Sequence, residues 1–182
     1  RVFEISISSL RLCVNFFKKM MTPEELVAAL RPFPRLTLNH TPTPLQPMPR
    51  LTASRGGLAL WLKRDDELGP GGGGNKGRPL EFLLGEAVAQ GRRKVITFGG
   101  LQSNHARMTA AACARLGLKT NLFFFEKRPS LLQGNLLLDQ LLGAKLHFIP
   151  FGGGGNASLT LETTIRLVRL VSWPLVGPGA YF

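Results

Sequence analysis

Short apolar runs alternate with longer segments of helical character through the middle of the chain, and this alternation constrains the fold most strongly. Apolar spacing, capping residues and closing glycines predict helices over residues 78–91, 103–118 and 135–144. Strands are predicted over residues 58–66, 94–100, 119–126 and 145–151. Parallel strands joined by helices need crossover connections. The sequence therefore predicts an α/β fold, with an open parallel sheet and flanking helices.

Two unusual segments follow the first two predicted strands. GGGGNK covers residues 71–76, and GGLQSNH covers residues 99–105. Ligands of open α/β sheets bind beyond the carboxyl ends of the strands. We therefore expect both segments to lie at the binding edge of the sheet.

The composition is globular and basic. The 182 residues are 44% hydrophobic and carry a formal net charge of +12. No apolar run approaches the roughly 18 residues of a membrane-spanning helix, so we expect no membrane association. The basic residues are dispersed and not interleaved with aromatic residues, which disfavours dedicated nucleic-acid binding.

The cysteines indicate a reducing compartment. Cys13 and Cys113 lie far apart and in no paired spacing, so neither a disulfide framework nor a metal site is predicted. Cys113 is expected to be a small apolar residue on a helix. A cytoplasmic location is the prediction.

The two ends of the chain differ from its middle. A capping box at Thr22 and Glu25 predicts a helix start, and residues 1–19 are predicted to be a non-native extension or a disordered arm. The last segment begins as an amphipathic helix and continues into proline and glycine, with no closing helix or strand expected. The chain is therefore expected to be truncated.

Three kinds of site compete for GPGGGGNKGR, residues 69–78. A Walker phosphate loop is rejected, because no serine or threonine follows Lys76. A dinucleotide fingerprint is weak, because so many glycines satisfy its spacing automatically. An amine at a helix start, beside backbone without side chains, suits a lysine that reacts with an aldehyde such as pyridoxal phosphate. The simpler alternative is a structural glycine loop with a surface lysine.

A second polar cluster strengthens the aldehyde-cofactor hypothesis. Gln102, Ser103, Asn104 and His105 stand at another predicted helix start. Such side chains, with free backbone N–H groups, can hold a substrate carboxylate. Helix capping by Ser103 or Asn104 is the alternative, and it accounts for one polar residue rather than four.

Four ordered blocks carry a resemblance to a known family. The blocks are WLKRDD, GGGNKGRPLEFL, GGLQSNHARMTAAACARLGL and GNLLLDQLLGAKLHFIP. Over residues 32–152 the chain resembles the pyridoxal-phosphate enzymes of the D-cysteine desulfhydrase and 1-aminocyclopropane-1-carboxylate (ACC) deaminase family. That family has the tryptophan-synthase-β-like fold, fold type II. The resemblance implies pyridoxal phosphate as the cofactor and, for the full-length protein, a homodimer.

The resemblance also implies roles and domains. Lys76 matches the lysine that binds the cofactor covalently and later moves protons at the substrate carbon. Ser103 matches a serine beside the substrate carboxylate that is catalytic in some members. Asn104 matches the asparagine that hydrogen-bonds the ring hydroxyl, and the His105 backbone would help to hold the carboxylate.

The resemblance also implies a division into domains. Residues 20–60 would belong to a large domain, and residues 61–152 would form a small α/β domain with the lysine. Residues 153–182 would begin a truncated return to the large domain.

The implied reaction acts on a small amino acid. Histidine at position 105 is typical of the desulfhydrases and the L-cysteate sulfo-lyases, whereas the deaminases more often carry glutamine. D-Cysteine β-elimination to pyruvate, ammonia and sulfide is therefore the leading prediction. ACC deamination, L-cysteate sulfo-lyase activity and a catalytically inactive binding module are the alternatives.

Three features depart from the family pattern. Pro79 stands where the family has a lysine that helps to hold the cofactor phosphate, so phosphate affinity is in question. Gly77 replaces a larger residue and is expected to loosen the helix start. The family's own phosphate loop lies farther along its chains, and PFGGGGNAS, residues 150–158, is predicted to be a flexible turn instead.

Overall fold

The computed structural model describes residues 21–149 and 180–181. Its helices are α1 (Pro23–Leu30), α2 (Pro49–Ser54), α3 (Gly77–Ala89), α4 (Asn104–Arg115) and α5 (Asn135–Leu141). Its strands are β1 (Leu45–Pro47), β2 (Trp61–Lys63), β3 (Lys94–Phe98), β4 (Lys119–Phe124), β5 (Lys145–Phe148) and β6 (Ala180–Tyr181), and a 3-10 turn covers Asp65–Glu67. The predicted extension over residues 1–19 and the predicted turn over residues 150–158 lie outside the described residues. α1 belongs to a unit that spans Arg1–Phe33, and the other elements belong to a second unit, Pro34–Phe182.

A four-stranded parallel sheet with the order β5-β4-β3-β6 confirms the predicted fold class. β3 pairs with β4 from Lys94 opposite Lys119, and β4 pairs with β5 from Asn121 opposite Lys145. α4 connects β3 to β4 and α5 connects β4 to β5, as the alternating pattern predicts.

The first predicted strand does not join this sheet. β2 covers only Trp61–Lys63 and pairs antiparallel with β1 in a separate two-stranded ribbon. Trp61 is 56% exposed and Leu62 is 43% exposed. Strands of a parallel sheet are normally buried on both faces, so this short apolar run lacks the burial of a sheet strand. The glycines of residues 71–74 therefore follow the ribbon, whereas GGLQSNH does follow a parallel strand, β3.

The expectation that no strand closes the sequence is wrong. Ala180 and Tyr181 form β6 and pair in parallel with Lys94 and Val95 of β3. This end of the segment predicted as a return to a large domain thus extends the sheet beside β3. The domain bounds themselves stay predictions.

The helix ends are those that the capping residues predict. At α1 the backbone N–H of Glu25 donates to Thr22 Oγ1 (3.2 Å), and the N–H of Thr22 donates to Glu25 Oε2 (3.0 Å). The glycines that follow the three sheet helices, Gly91, Gly117 and Gly143, have φ values of 68°, 69° and 79°. Within residues 21–149 and 180–181, no helix has the length and apolar character needed to cross a bilayer.

The core lies mainly between the sheet and helices α3, α4 and α5. α4 contributes small side chains, and Ala106, Ala110 and Ala112 have no exposed surface. These alanines pack among leucines and aromatic residues such as Leu84 of α3 and Phe124 of β4. Dense packing fixes α4 against its neighbours and so fixes the position of its N-terminus.

A buried carboxylate on α3 anchors the chain that precedes the ribbon. Glu81 is 2% exposed and accepts hydrogen bonds from Arg35 Nε (2.7 Å) and from the backbone N–H groups of Leu38 and Asn39 (3.0 Å each). Burial raises the pKa of Glu81, but these hydrogen bonds outweigh burial and the net shift is downward. Asn39 Nδ2 in turn donates to the Gly77 carbonyl (3.0 Å), which fixes the start of α3.

Candidate active site

Lys76 stands at the N-cap of α3, where the backbone leaves the glycine-rich turn. Its side chain is exposed, and its backbone carbonyl accepts the first helical hydrogen bond from Leu80 (3.2 Å). In the described part of the chain no hydrogen bond or ion pair engages its amine. The structure therefore presents an exposed primary amine at the N-terminus of α3.

The glycines before Lys76, residues 71–74 (the glycine loop), serve internal packing. A β-carbon at Gly71 would lie 2.6 Å from Ala111 Cβ of α4, and one at Gly73 would collide with the Asp66 carbonyl. Gly73 also has a φ of 75°, which side-chain-bearing residues rarely adopt. Packing alone requires glycine at Gly71 and Gly73, and approach of a cofactor ring to the bare loop stays a prediction. Gly71 lies against α4, and Gly73 lies against the Asp66 carbonyl.

Arg107 of α4 joins the glycine loop to the second polar cluster. Its Nη2 donates to the Gly73 carbonyl (3.0 Å) and to Asn104 Oδ1 (3.4 Å). One guanidinium therefore links the segment that carries Lys76 to the N-terminus of α4. Arg107 was not predicted as a site residue, although it lies one helical turn after Asn104, where side chains share a face.

Ser103 caps α4 and keeps one donor free. Its Oγ accepts a hydrogen bond from the backbone N–H of Ala106 (3.2 Å). A hydroxyl that accepts in this way can still donate its own hydrogen to another group. The N–H groups of Asn104 and His105 begin the helix and have no intrahelical acceptor. The cap therefore offers three donors to an anion.

Asn104 is exposed, and its side-chain oxygen is occupied. Asn135 of α5 donates from Nδ2 to Asn104 Oδ1 (3.0 Å) and to the Gln102 carbonyl (2.8 Å). Gln102 Oε1 accepts from the backbone N–H of Asn135 (2.9 Å). Asn135 was not anticipated from the sequence, because its only signal there is a position directly after Gly134 at a helix start.

His105 is half-buried in the first turn of α4, and its surroundings disfavour a charged imidazole. Burial lowers the pKa of His105, and the nearby Lys76 ammonium lowers it further. Lys76 is thus near enough to His105 to disfavour a positive charge on its ring. The backbone carbonyl of His105 accepts from Thr109 Oγ1 (2.8 Å), so the first turn of α4 is well fixed.

The start of α3 tolerates the two departures from the family pattern. Pro79 is exposed at the third helical position, where a proline is accommodated. Gly77 is buried, and a β-carbon there would collide with Asn39 Oδ1. The expected loosening at Gly77 is therefore wrong for this chain, since Asn39 takes the space of the larger residue and binds the Gly77 carbonyl. Arg78 is fixed as well, by Nη2 on Asp65 Oδ1 (2.9 Å).

Cys113 takes no part in this site. It is buried in the core, and burial raises the pKa of its thiol to about 11. The interpretation as a small apolar helix residue is confirmed, and the thiol is unreactive at neutral pH. Cys13 lies outside the described residues. No three His, Cys, Asp or Glu side chains converge as metal ligands within the described ranges.

The donor set fits the reactive end of pyridoxal phosphate. The cofactor needs a free amine for its aldehyde, and Lys76 supplies an exposed one. It also needs polar groups for its ring oxygen and for the substrate carboxylate, and the N-terminus of α4 supplies an amide, a hydroxyl and two backbone N–H groups. The site residues Lys76, Ser103, Asn104 and His105 thus occupy two neighbouring helix starts that Arg107 connects.

Comparison with known proteins identifies the family. The family described as "Pyridoxal-phosphate dependent enzyme" matches residues 36–182. A bifunctional D-cysteine desulfhydrase/ACC deaminase of Arabidopsis thaliana, a mitochondrial protein, is 40% identical over 172 residues, which are 88% of this chain and 42% of that protein. A protein of Thermotoga maritima named as a putative ACC deaminase is 50% identical over 112 residues, 62% of this chain and 35% of the relative. These matches confirm the resemblance and the family's cofactor.

A solved structure confirms the fold type. The crystal structure of an ACC deaminase homologue superimposes with a TM-score of 0.71 at 35% identity, covering 88% of this chain and 47% of that one. The chain thus spans less than half the length of these relatives. Because one relative is mitochondrial, the cytoplasmic location stays a prediction, as does the homodimer.

Proposed function

The chain belongs to the pyridoxal-phosphate dependent enzymes, and from this membership we propose that it is a lyase that binds the cofactor through Lys76 and acts on a small amino acid. One observation carries the proposal most directly. Arg107 bridges Gly73, in the loop before Lys76, and Asn104, at the N-terminus of α4. An amine and an anion-binding helix start are thereby held in one site.

Lys76 is proposed to have two tasks. Its amine binds the cofactor aldehyde, and after exchange with the substrate amine it moves the proton at the substrate α carbon. The bound cofactor supplies an electron sink that makes this proton acidic. The exposed position of Lys76 at the helix mouth leaves the amine free for both tasks.

The N-terminus of α4 is proposed to hold the substrate carboxylate. The Ser103 hydroxyl donates to the carboxylate while its oxygen accepts from Ala106, and the N–H groups of Asn104 and His105 add two more hydrogen bonds. The positive end of the helix dipole favours the same anion.

D-Cysteine is the first proposed substrate. Removal of the α proton allows the β thiolate to leave, and hydrolysis of the product gives pyruvate and ammonia beside the sulfide. Histidine at position 105 favours this choice over the deaminase reaction, in line with the resemblance. The bifunctional Arabidopsis relative also bears desulfhydrase in its name.

ACC is the second proposed substrate, because several relatives carry the deaminase name. They include the Thermotoga protein and a deaminase of Rhizobium leguminosarum that is 38% identical over 150 residues. Ring opening of ACC and hydrolysis would give 2-oxobutanoate and ammonia, with no sulfide. The two proposals therefore differ in a product that is simple to measure.

Product analysis tests both proposals. The chain with added pyridoxal phosphate is incubated with D-cysteine or with ACC, and sulfide, pyruvate and 2-oxobutanoate are quantified. We expect sulfide and pyruvate in equal amounts from D-cysteine. Lys76→Ala should abolish turnover, while Lys119→Ala, an exposed lysine at the start of β4, should retain it. Equal turnover by both variants would refute the role of Lys76.

A further inference from the structure

A chain of hydrogen bonds with a fixed direction ends at Asn104. A backbone carbonyl only accepts, so the atom of Asn135 that faces the Gln102 carbonyl at 2.8 Å must be the amide nitrogen. The second hydrogen of that nitrogen is directed to Asn104, at 3.0 Å. The atom of Asn104 that receives it must therefore be the oxygen.

Arg107 imposes the same direction from the other side. A guanidinium has donors only, and Arg107 Nη2 lies 3.4 Å from the same Asn104 oxygen. Reversing the Asn104 amide would place its NH2 group against two donors. The oxygen of Asn104 therefore faces the protein, and its NH2 group is left for whatever binds outside.

Asn135 is itself held in place through Gln102, whose side chain binds a backbone N–H, which can only donate, and a backbone carbonyl, which can only accept. Its backbone N–H donates to Gln102 Oε1 (2.9 Å), and Gln102 Nε2 donates to the carbonyl of Gln133 (3.1 Å). The side chain of Gln102 is thus oriented by backbone groups at both ends. The start of α5 is fastened to the loop between β3 and α4, and the amide of Asn135 is fixed in turn.

We propose that Asn135 and Arg107 are positioning residues that orient the Asn104 amide, so that its NH2 group donates to the ring oxygen of pyridoxal phosphate. The inference rests on the proposed function and adds the reason why Asn104 can act only as a donor. A donor at this position stabilises the deprotonated ring oxygen over the protonated one.

Five charged or titratable side chains of the described residues surround this hydrogen-bond network. They are Lys76, His105, Arg107, Glu126, which accepts from the backbone N–H of Leu101 (3.2 Å), and Asp139, which faces Arg107. A test must leave all of them in place. Substitution at Asn135 meets this condition.

Asn135→Asp removes both side-chain hydrogens that orient Asn104 and keeps the size of the side chain. The matched control is Gln140→Glu, which adds the same charge at an exposed position of the same helix. The measured quantity is the pH at which the absorbance band of the cofactor with a deprotonated ring oxygen reaches half of its full intensity. We expect Asn135→Asp to raise this midpoint by about one pH unit, the size of one hydrogen bond to a charged group, and Gln140→Glu to leave it near the wild-type value.

Asn104→Asp provides a second test at an exposed position where an acidic residue favours the helix start. It replaces the outward donor by an acceptor, so the midpoint should rise at least as far. Equal midpoints in wild type, Asn135→Asp and Asn104→Asp would overturn the inference.

Borohydride reduction of the same samples separates this inference from the proposed function. An adduct on Lys76 in all variants, with unchanged midpoints, refutes only the orienting role. An adduct with shifted midpoints supports both claims. Absence of an adduct from the wild-type chain refutes the proposed function, and the inference with it.

Discussion

His105 is the residue on which the proposed preference for D-cysteine over ACC rests. Burial and, to a smaller extent, the Lys76 ammonium both lower the pKa of its imidazole. Its ring presents a different shape and hydrogen-bonding pattern from the glutamine that the resemblance implies for most deaminases.

His105→Gln should therefore move substrate preference towards ACC. We expect the ratio of kcat/KM for D-cysteine to kcat/KM for ACC to fall by about tenfold, a typical effect of one changed pocket contact. Initial rates on both substrates measure the ratio. His40→Gln, at an exposed histidine, is the control and should leave the ratio unchanged. An unchanged ratio in His105→Gln would show that position 105 does not select the substrate.

Asp139 of α5 is a buried acid without a hydrogen-bond partner for either side-chain oxygen in the described structure. Burial raises its pKa to about 6, although the charge of Arg107 acts in the opposite direction. The folded state therefore holds this proton more tightly than the unfolded state. The resulting stability is complete below the ordinary pKa of 3.8 and is lost as the pH rises through about 6.

Asp139→Asn should remove this loss. At about pH 8 the variant should be more stable than wild type by about 3 kcal/mol, and at about pH 4 the difference should be below about 1 kcal/mol. Urea titrations at the two pH values measure the free energies of unfolding. Asp66→Asn, at an exposed carboxylate, should not reproduce the gain at high pH. A difference that does not depend on pH would contradict the assignment.

At the scale of elements, α3 is held at its first two turns by the segment before the ribbon. Glu81 binds Arg35 and two backbone N–H groups, and Asn39 binds the Gly77 carbonyl one turn earlier. These contacts fix the helix whose N-cap is Lys76. Removal of the Glu81 carboxylate should therefore lower the stability of the chain and disturb the position of Lys76.

Glu81→Ala should lower the free energy of unfolding by about 3 kcal/mol, because it leaves buried donors without their acceptor. Glu86→Ala, at an exposed glutamate of the same helix that accepts from Gln90 (3.0 Å), should cost much less. Urea denaturation of the two variants compares these costs. Similar losses in both would show that the Glu81 anchor contributes little.

The helices and the parallel order could be predicted because capping residues, closing glycines and apolar spacing are local signals. Thr22, Gly91 and Gly117 act on their own turns, so their effect is visible in the sequence. The partner of β2 could not be predicted in this way, since β1 is a three-residue strand of exposed residues with no apolar alternation. β6 was missed for the same reason, because two residues carry no periodicity.

The sequence motifs predict the principal site residues, which stay predictions, but they do not predict the hydrogen bonds that support them. Lys76, Ser103, Asn104 and His105 stand in two short segments whose composition is unusual. The packing of α4 against α5 brings together Arg107, Gln102 and Asn135. No spacing pattern along the chain predicts that packing. The packing of the glycine loop could not be predicted either, since its contact with Ala111 involves a helix that lies more than thirty residues away.

At the scale of the whole molecule, the chain spans 42% of its Arabidopsis relative and 47% of the superimposed structure. Within that span it holds the parallel sheet, the lysine and the N-terminus of α4. The central claim is therefore one of covalent binding: Lys76 is the amine that takes the aldehyde of pyridoxal phosphate.

Reductive trapping measures this claim most directly. The chain is mixed with an equimolar amount of pyridoxal phosphate, reduced with sodium borohydride, digested, and analysed by peptide mass. The account predicts that the adduct concentrates on the peptide with Lys76, disappears in Lys76→Ala and persists in Lys119→Ala. An adduct spread evenly over the exposed lysines, and equal in the two variants, would contradict it.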